Sequence, residues 1–315
     1  MKIPTLTDVR MAADRIRPYI HHTPVLSSRL VDEWLNASVF FKCENFQHVG
    51  AFKMRGAGNV VFSLSNEDAQ KGVATHSSGN HAQALALAAR LRGIPAWIVM
   101  PENAPEVKRN AVKGYGAEIR FCKPTLQARE ETLEEVVRET GAHFVPPYDD
   151  PRVIAGQGTA ALELLEQQPD LDIVMAPVGG GGLMCGTAIT VRSLHRDINV
   201  YGAEPAGADD AWQSYHSGKL IPQTNPDTIA DGLRTSLSDL TFEIIHTHLD
   251  DLLRVSEPGI VEAMRFIWER MKIIIEPSAA VPVAAMREYP DLFNGKRVGI
   301  ILSGGNVDLN HLPWQ

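Results

Sequence analysis

The sequence predicts an α/β fold of two open, twisted domains, and three observations carry that reading. The chain has 315 residues, too many for one ordinary core and suited to two domains of roughly 100–200 residues each. Short apolar runs alternate with longer helical patterns, as in parallel sheets covered by helices. Polar or glycine-rich segments follow several of those runs, and open α/β sheets bind ligands beyond the carboxyl ends of their strands.

The elements follow in order. The opening segment MKIPTLTDVRMAADRIRPYI lacks the apolar centre of a signal peptide. It predicts an amphipathic helix with Thr5 and Asp8 spaced as a capping box. Strands are predicted at residues 39–43, 72–75, 96–100, 118–122, 143–145, 173–177, 200–204 and 298–302. Helices are predicted at about 79–91, 106–114, 126–140 and 157–165. There is no tandem repeat or low-complexity linker, so composition marks no domain boundary. Asn66-Glu67-Asp68 and Pro146-Pro147 are the candidate crossings. Four segments stand at strand ends: SSGNH after Thr75, GGGG after Val178, EPAGADD after Ala203 and SGGN after Leu302. Their convergence on one site is the structural expectation.

Composition narrows the function. Hydrophobic residues make up 44% and charged residues 22%, the globular norm. The net charge of -8 gives no basic footprint for nucleic acid. No apolar run reaches the roughly 18 residues of a membrane helix. Cys43, Cys122 and Cys185 are odd in number and far apart. They form no metal or redox pair, which implies a reducing, cytoplasmic setting and buried apolar thiols.

Two motifs carry chemistry. Gly179 to Gly182 follow a strand and open a helix. Glycines let backbone N–H groups crowd an anion, and the helix N-terminus adds positive potential. The result is a phosphate cradle, for which a tight turn is the ordinary alternative. A dinucleotide also remains open, because Glu204 lies near the distance of a ribose-binding acid. Lys53 sits between Phe52 and Met54. Apolar neighbours favour its neutral, nucleophilic amine, and a snorkelling surface lysine is an equal alternative on local sequence.

Seven ordered motifs then carry a resemblance: the segment ENFQHVGAFKMRGAGN around Lys53, THSSGNHAQALALAARLRGIPAWIVMP, VIAGQGT, PVGGGG, TIADGLRTSL, WERMKIIIEPSAA and ILSGGNVDL. They run from about residue 21 to residue 308. Together they resemble the serine racemase and serine/threonine dehydratase family, pyridoxal-phosphate enzymes of the tryptophan-synthase-β-like fold. The resemblance implies a large cofactor-binding domain from residues 1–69 and 148–315. It also implies a small mobile domain at 70–147, the cofactor in the cleft between them, and a homodimer.

By the same resemblance, Lys53 matches the lysine that carries the cofactor as a Schiff base, and Gly179, Gly180, Gly181, Gly182 and Leu183 match the phosphate loop. Phe52 matches the aromatic beside the ring, Asn80 the partner of the ring oxygen, and Ser303 the hydroxyl facing the ring nitrogen. A neutral serine there does not force protonation of that nitrogen, which favours rapid β-elimination over long-lived carbanions. Ser77, Ser78, Gly79, Asn80 and His81 form the substrate loop. His81 has no catalytic role in the resemblance and is taken as structural. Ser78 matches the second acid/base of serine racemases, although hydroxyaspartate dehydratases also carry SSGNH, and a helix N-cap is its ordinary alternative. Ser77 and Gln83 are spaced to line the pocket. Arg129 matches an arginine that approaches the substrate from the small domain, against a solvated charge among Glu130, Glu131 and Glu134. His48 and Tyr148 are positions where the family varies.

Glu204-Pro205-Ala206-Gly207-Ala208-Asp209-Asp210 holds hard oxygen ligands in a compact loop. An acidic surface turn is the ordinary reading. The resemblance reverses it: Glu204, the carbonyl of Ala208, and Asp210 match the holders of a divalent cation, Mg²⁺ or possibly Ca²⁺ or Mn²⁺. The implied substrate is a small β-hydroxy amino acid. After Lys53 removes the α-proton, it is either reprotonated on the other face or loses its hydroxyl to give a 2-oxo acid and ammonia. Serine racemase/dehydratase leads 3-hydroxyaspartate ammonia-lyase, with threonine ammonia-lyase third. The chain ends at Gln315, soon after SGGN, which argues against a feedback-regulated threonine enzyme. A cofactor-binding regulatory protein without turnover, or an NAD-dependent dehydrogenase, are the readings from other classes.

Overall fold

The computed structural model describes residues 2–314. Helix α1 (Leu6–Ile16) opens with the expected capping box: Thr5 Oγ1 accepts the Asp8 N–H, and the Asp8 carboxylate accepts the Thr5 N–H. Its buried stripe is Val9, Ala12 and Ile16. There follow β1 (Val25–Leu26), α2 (Arg29–Leu35), β2 (Ser38–Cys43), α3 (Lys53–Ser63), α4 (Asn66–Gln70), β3 (Val73–His76), α5 (Asn80–Arg92), β4 (Ala96–Pro101), α6 (Glu106–Gly114), β5 (Glu118–Cys122), α7 (Leu126–Thr140), β6 (His143–Phe144) and α8 (Pro151–Gln167). The second half contains β7 (Ile173–Pro177), α9 (Gly182–Leu194), β8 (Asn199–Pro205), α10 (Asp210–Ser217), α11 (Asp239–His248), β9 (Asp251–Val255), α12 (Glu257–Met271), α13 (Pro277–Glu288), α14 (Pro290–Phe293) and β10 (Arg297–Leu302).

Two sheets result. One has six strands in the order β1-β2-β10-β7-β8-β9, all parallel except the β1–β2 pair. The other has four parallel strands in the order β5-β4-β3-β6. Strands buried on both faces read as continuous apolar runs; Ile173–Pro177 is buried throughout. One face of the six-stranded sheet packs on α2, α12 and α13 through residues such as Val31, Ile267 and Val281. The other packs on α8, α9 and α11 through Leu164, Met184 and Ile244. A third cluster joins α3 to the four-stranded sheet: Met54, Ala57 and Val61 pack with Leu85, Ile98 and Met100. Helix α3 is therefore the element against which the second sheet's layer sits.

Three differences from the sequence expectation have local causes. The helix expected at 157–165 spans Pro151–Gln167, because the Asp150 side chain caps it and Pro151 suits its first turn. Asn66-Glu67-Asp68 lies in α4 rather than in a linker, with Ser65 as its cap. Strand β9, Asp251–Val255, was not expected; it lies at the sheet edge and is only partly buried.

Candidate active site

Lys53 is the first residue of α3, at a helix N-terminus. Its Nζ donates to the Pro147 carbonyl at 3.0 Å and lies 4.9 Å from the centre of the Phe52 ring. Burial pulls its pKa down to about 8, against the opposing pull of the Glu276 carboxylate. The turn before it is strained. Val49 has φ 58°, a left-handed conformation that costs a β-branched residue about 1–3 kcal/mol. It is pinned there by Asn306, whose Nδ2 donates to the Val49 carbonyl at 2.7 Å.

The strand ends bring their segments to this amine. The Phe52 N–H donates to the Ser303 carbonyl at 3.0 Å, just past β10, and Ala51 bridges Gly304. Ser303 is 2% exposed, and its Oγ has no partner. From the other sheet, the Asn80 Nδ2 donates to both Glu276 carboxylate oxygens, at 3.3 and 3.1 Å, and its Oδ1 accepts from Asn306 at 2.9 Å. Burial raises the Glu276 carboxyl to about 7.

The glycines connect β7 to α9. Gly181 has φ +87° and caps α9 with no side-chain hydrogen bond, so the first-turn N–H groups have no capping side chain. A Cβ on Gly180 would lie 2.2 Å from the Tyr148 ring, so only glycine fits beneath that ring. The Tyr148 hydroxyl meets Thr235 Oγ1 at 3.2 Å. Leu183 is buried in the first turn of α9.

The Ser77–Asn80 loop joins β3 to α5 and is half-buried. Its N-cap is Gly79, with no side-chain cap, so the N-cap reading of Ser78 is corrected: the half-buried Ser78 precedes the cap and its hydroxyl does not bond to the helix. The Gly79 N–H instead donates to Ser77 Oγ at 3.3 Å. His81 is 2% exposed, with Nε2 2.9 Å from the Val145 carbonyl. Burial, and next the Lys53 charge, lower its pKa to about 3. A carbonyl only accepts, so the neutral ring carries its hydrogen on Nε2. Arg129 lies on α7, where its charge reaches His76 and Cys122. Its buried Nε has no partner, and no hydrogen bond joins it to the Lys53 cluster. The His48 ring lies against the His21 ring, centres 3.8 Å apart and planes tilted by 41°.

The sequence profile of pyridoxal-phosphate dependent enzymes matches residues 16–304. The chain belongs to this family. It is 51% identical to the beta-hydroxyaspartate dehydratase of Paracoccus denitrificans, over the full length of both chains. The crystal structure of the serine racemase of Dictyostelium discoideum shares 51% identity and a TM-score of 0.93, covering 97% of this chain and 99% of that one. The crystal structure of a T.th. threonine deaminase shares 43% identity and a TM-score of 0.93, with the same coverage.

The residues fit the family's cofactor. A buried amine with a lowered pKa, an uncapped helix N-terminus lined by glycine, and a buried serine hydroxyl without a partner are the groups such a cofactor requires. Two of the four strand-end segments meet through the Asn306–Asn80 hydrogen bond, and the glycine segment lies against Tyr148, the neighbour of the Pro147 that accepts from Lys53. The fourth segment makes no hydrogen bond to these groups, although the charge of Asp210 reaches Tyr148. The Glu204 carboxylate accepts the N–H groups of Ala211 and Trp212, at 3.2 and 2.7 Å, in the first turn of α10. Asp210 is 2% exposed; its Oδ1 accepts from Gln223 at 3.4 Å, and its Oδ2 has no partner. Ala208 is buried in the intervening turn. Among the described residues no cluster of three or more His, Cys, Asp or Glu side chains is arranged for a metal. A cation here would rest on two carboxylates and backbone oxygen. Burial raises the Glu204 carboxyl well above the usual range, with Asp210 adding to it, as expected of facing acids without a counter-charge.

Sequence reasoning quoted Glu276 within IIIEPSAA and Asn306 within SGGN without giving either a role of its own. The signal for Glu276 was a lone carboxylate closing an apolar run. Asn306 carried the strand-end signal of SGGN, but its bonds were not readable, since its partners lie 226 and 257 residues away.

Proposed function

We propose that this protein is a serine racemase/dehydratase acting on small β-hydroxy amino acids. The carrying observation is the buried Lys53 amine, brought to about 8, donating to the Pro147 carbonyl beside the Tyr148 that lies on Gly180, with the preceding Phe52 held to Ser303. Bound pyridoxal phosphate supplies the electron sink that makes the substrate α-hydrogen acidic. Gly179–Leu183 would hold its phosphate, Asn80 its ring oxygen, Ser303 its ring nitrogen, and Phe52 its ring face. Ser77, Gly79 and the N-terminus of α5 receive the substrate carboxylate, His81 braces that loop, and Arg129 approaches as residues 70–147 close over the cleft.

The Lys53 amine takes the α-proton as general base. The Ser78 hydroxyl returns a proton to the opposite face, which gives the other enantiomer. Alternatively the β-hydroxyl leaves as water, and hydrolysis yields a 2-oxo acid and ammonia. We read Glu204, the Ala208 carbonyl and Asp210 as the seat of a supporting divalent cation, Mg²⁺, Ca²⁺ or Mn²⁺, and the active form as a cytoplasmic homodimer. No helix of the described residues is long and apolar enough to cross a membrane.

A second reading, 3-hydroxyaspartate ammonia-lyase, is favoured by the full-length likeness to the Paracoccus dehydratase. Purified protein with pyridoxal phosphate and Mg²⁺ decides between them, given L-serine, D-serine, L-threonine and each 3-hydroxyaspartate isomer. D-serine formed from L-serine supports the first reading. Fast oxaloacetate release with serine nearly inert replaces it with the second.

A further inference from the structure

Beside the Glu204–Asp210 loop lies a charge pair with no part in the chemistry above. Arg254 stands on the edge strand β9, directly opposite Glu204 in the β8–β9 register. Its Nη1 donates to Asp209 Oδ2 at 2.7 Å. Its guanidinium lies 4.3 Å from the centre of the Trp212 ring, and the Trp212 N–H is one of the two that hold Glu204. The other Asp209 oxygen accepts from Gln213 at 2.6 Å. Both oxygens of Asp209 are therefore engaged outside the loop, while Asp210, the next residue, keeps a buried oxygen without a partner.

We propose that Arg254 sets the affinity and selectivity of the cation loop by withholding Asp209 from it. This rests on the reading of Glu204, Ala208 and Asp210 as a divalent-cation seat. With Arg254 in place, Asp209 is neutralised and turned aside, and the cation meets two carboxylates. Two carboxylates balance one divalent charge. Releasing Asp209 would bring a third, which favours tighter binding and larger, higher-coordinate ions such as Ca²⁺. The pair is partly exposed, with side chains 43% and 15% accessible, so solvent and salt moderate its field.

The test is a charge cycle on the holoenzyme, with Mg²⁺, Ca²⁺ and Mn²⁺ titrated calorimetrically and Mn²⁺ also followed by electron paramagnetic resonance. Arg254→Met leaves Asp209 uncompensated, and divalent binding tightens about 3- to 10-fold at low salt, most for Ca²⁺. Asp209→Asn leaves Arg254 uncompensated, and binding weakens by a similar factor. The double variant returns to within about 2-fold of the parent, and all three differences shrink at high salt. A brace without electrostatic function would weaken binding in both single variants, and that result overturns the proposal. So does parent-like affinity in Arg254→Met while the parent binds saturably. No saturable binding by the parent overturns the cation seat itself, and the role of Arg254 with it.

Discussion

Two clusters of buried charge flank the start of α3, and they are completed to different degrees. On one side, Arg55 donates to Glu44 at 2.7 and 2.8 Å and to Glu163 at 2.8 and 2.9 Å. Lys42 donates to Glu163, to the Thr23 carbonyl and to Gln167, at 2.6, 2.7 and 3.1 Å. Two cations meet two anions, with Thr23 and Thr159 taking up further contacts. On the other side, Lys53 has one acceptor, a neutral carbonyl, and Ser303 Oγ has none. Burial lowers both lysines, yet Lys42 faces a carboxylate in direct contact while Lys53 meets only the more distant field of Glu276. The first cluster joins β2, α3 and α8 into a fixed base. The second leaves its groups free for what enters the cleft.

The comparison breaks most sharply at Lys53. Lys53→Ala should lower 2-oxo acid release and racemisation by at least about 10³-fold with the fold intact, since it removes both the cofactor's attachment and the general base. Retained turnover sinks the assignment. Glu44→Gln should act through the base instead. It leaves part of the buried Arg55 charge unpaired, at about 3–5 kcal/mol, seen as a lower urea midpoint. An unchanged midpoint would show that the cluster is dispensable.

Ser78→Ala should abolish D-serine formation from L-serine while some elimination persists. Racemisation that survives removes Ser78 from the second face. Lys53 also gives a pH signature. Reloading of cofactor-free protein with pyridoxal phosphate should accelerate as pH rises through about 8, because the neutral amine is the nucleophile. The same lowered pKa makes the stability of the cofactor-free fold rise with pH between about 8 and 10.5, where the unfolded chain binds more protons and the cost of burying a charged amine is relieved. A reloading midpoint near the ordinary 10.5 would place Lys53 in water. Smallest, chelation with verified metal loss should lower activity or thermal stability modestly, and no change counts against Glu204 and Asp210.

Much of the fold was legible because its signals are local. The strands at 118–122 and 173–177, and the helices at 106–114 and 126–140, lie where apolar periodicity and turn residues put them. The capping box at Thr5 needs only the four consecutive residues from Thr5 to Asp8. Ser78 shows where local reasoning stops: serine suits an N-cap, but the backbone places Gly79 there, and the serine does not cap the helix.

By itself, the sequence determined the α/β class, the glycine turn that opens a helix after a strand and, through the order of its motifs, the family. Only the tertiary structure decided which charges are satisfied. Lys42 and Lys53 lie 11 positions apart in equally apolar surroundings. One meets Glu163 from α8, and the other meets a carbonyl at the edge of a cleft. Glu276 and Asn306 join the site, and Asp209 is drawn away from its neighbour Asp210, for the same reason. Hydrogen bonding and desolvation act over a few ångströms of space, and the chain brings distant residues within that range only when its sheets are assembled.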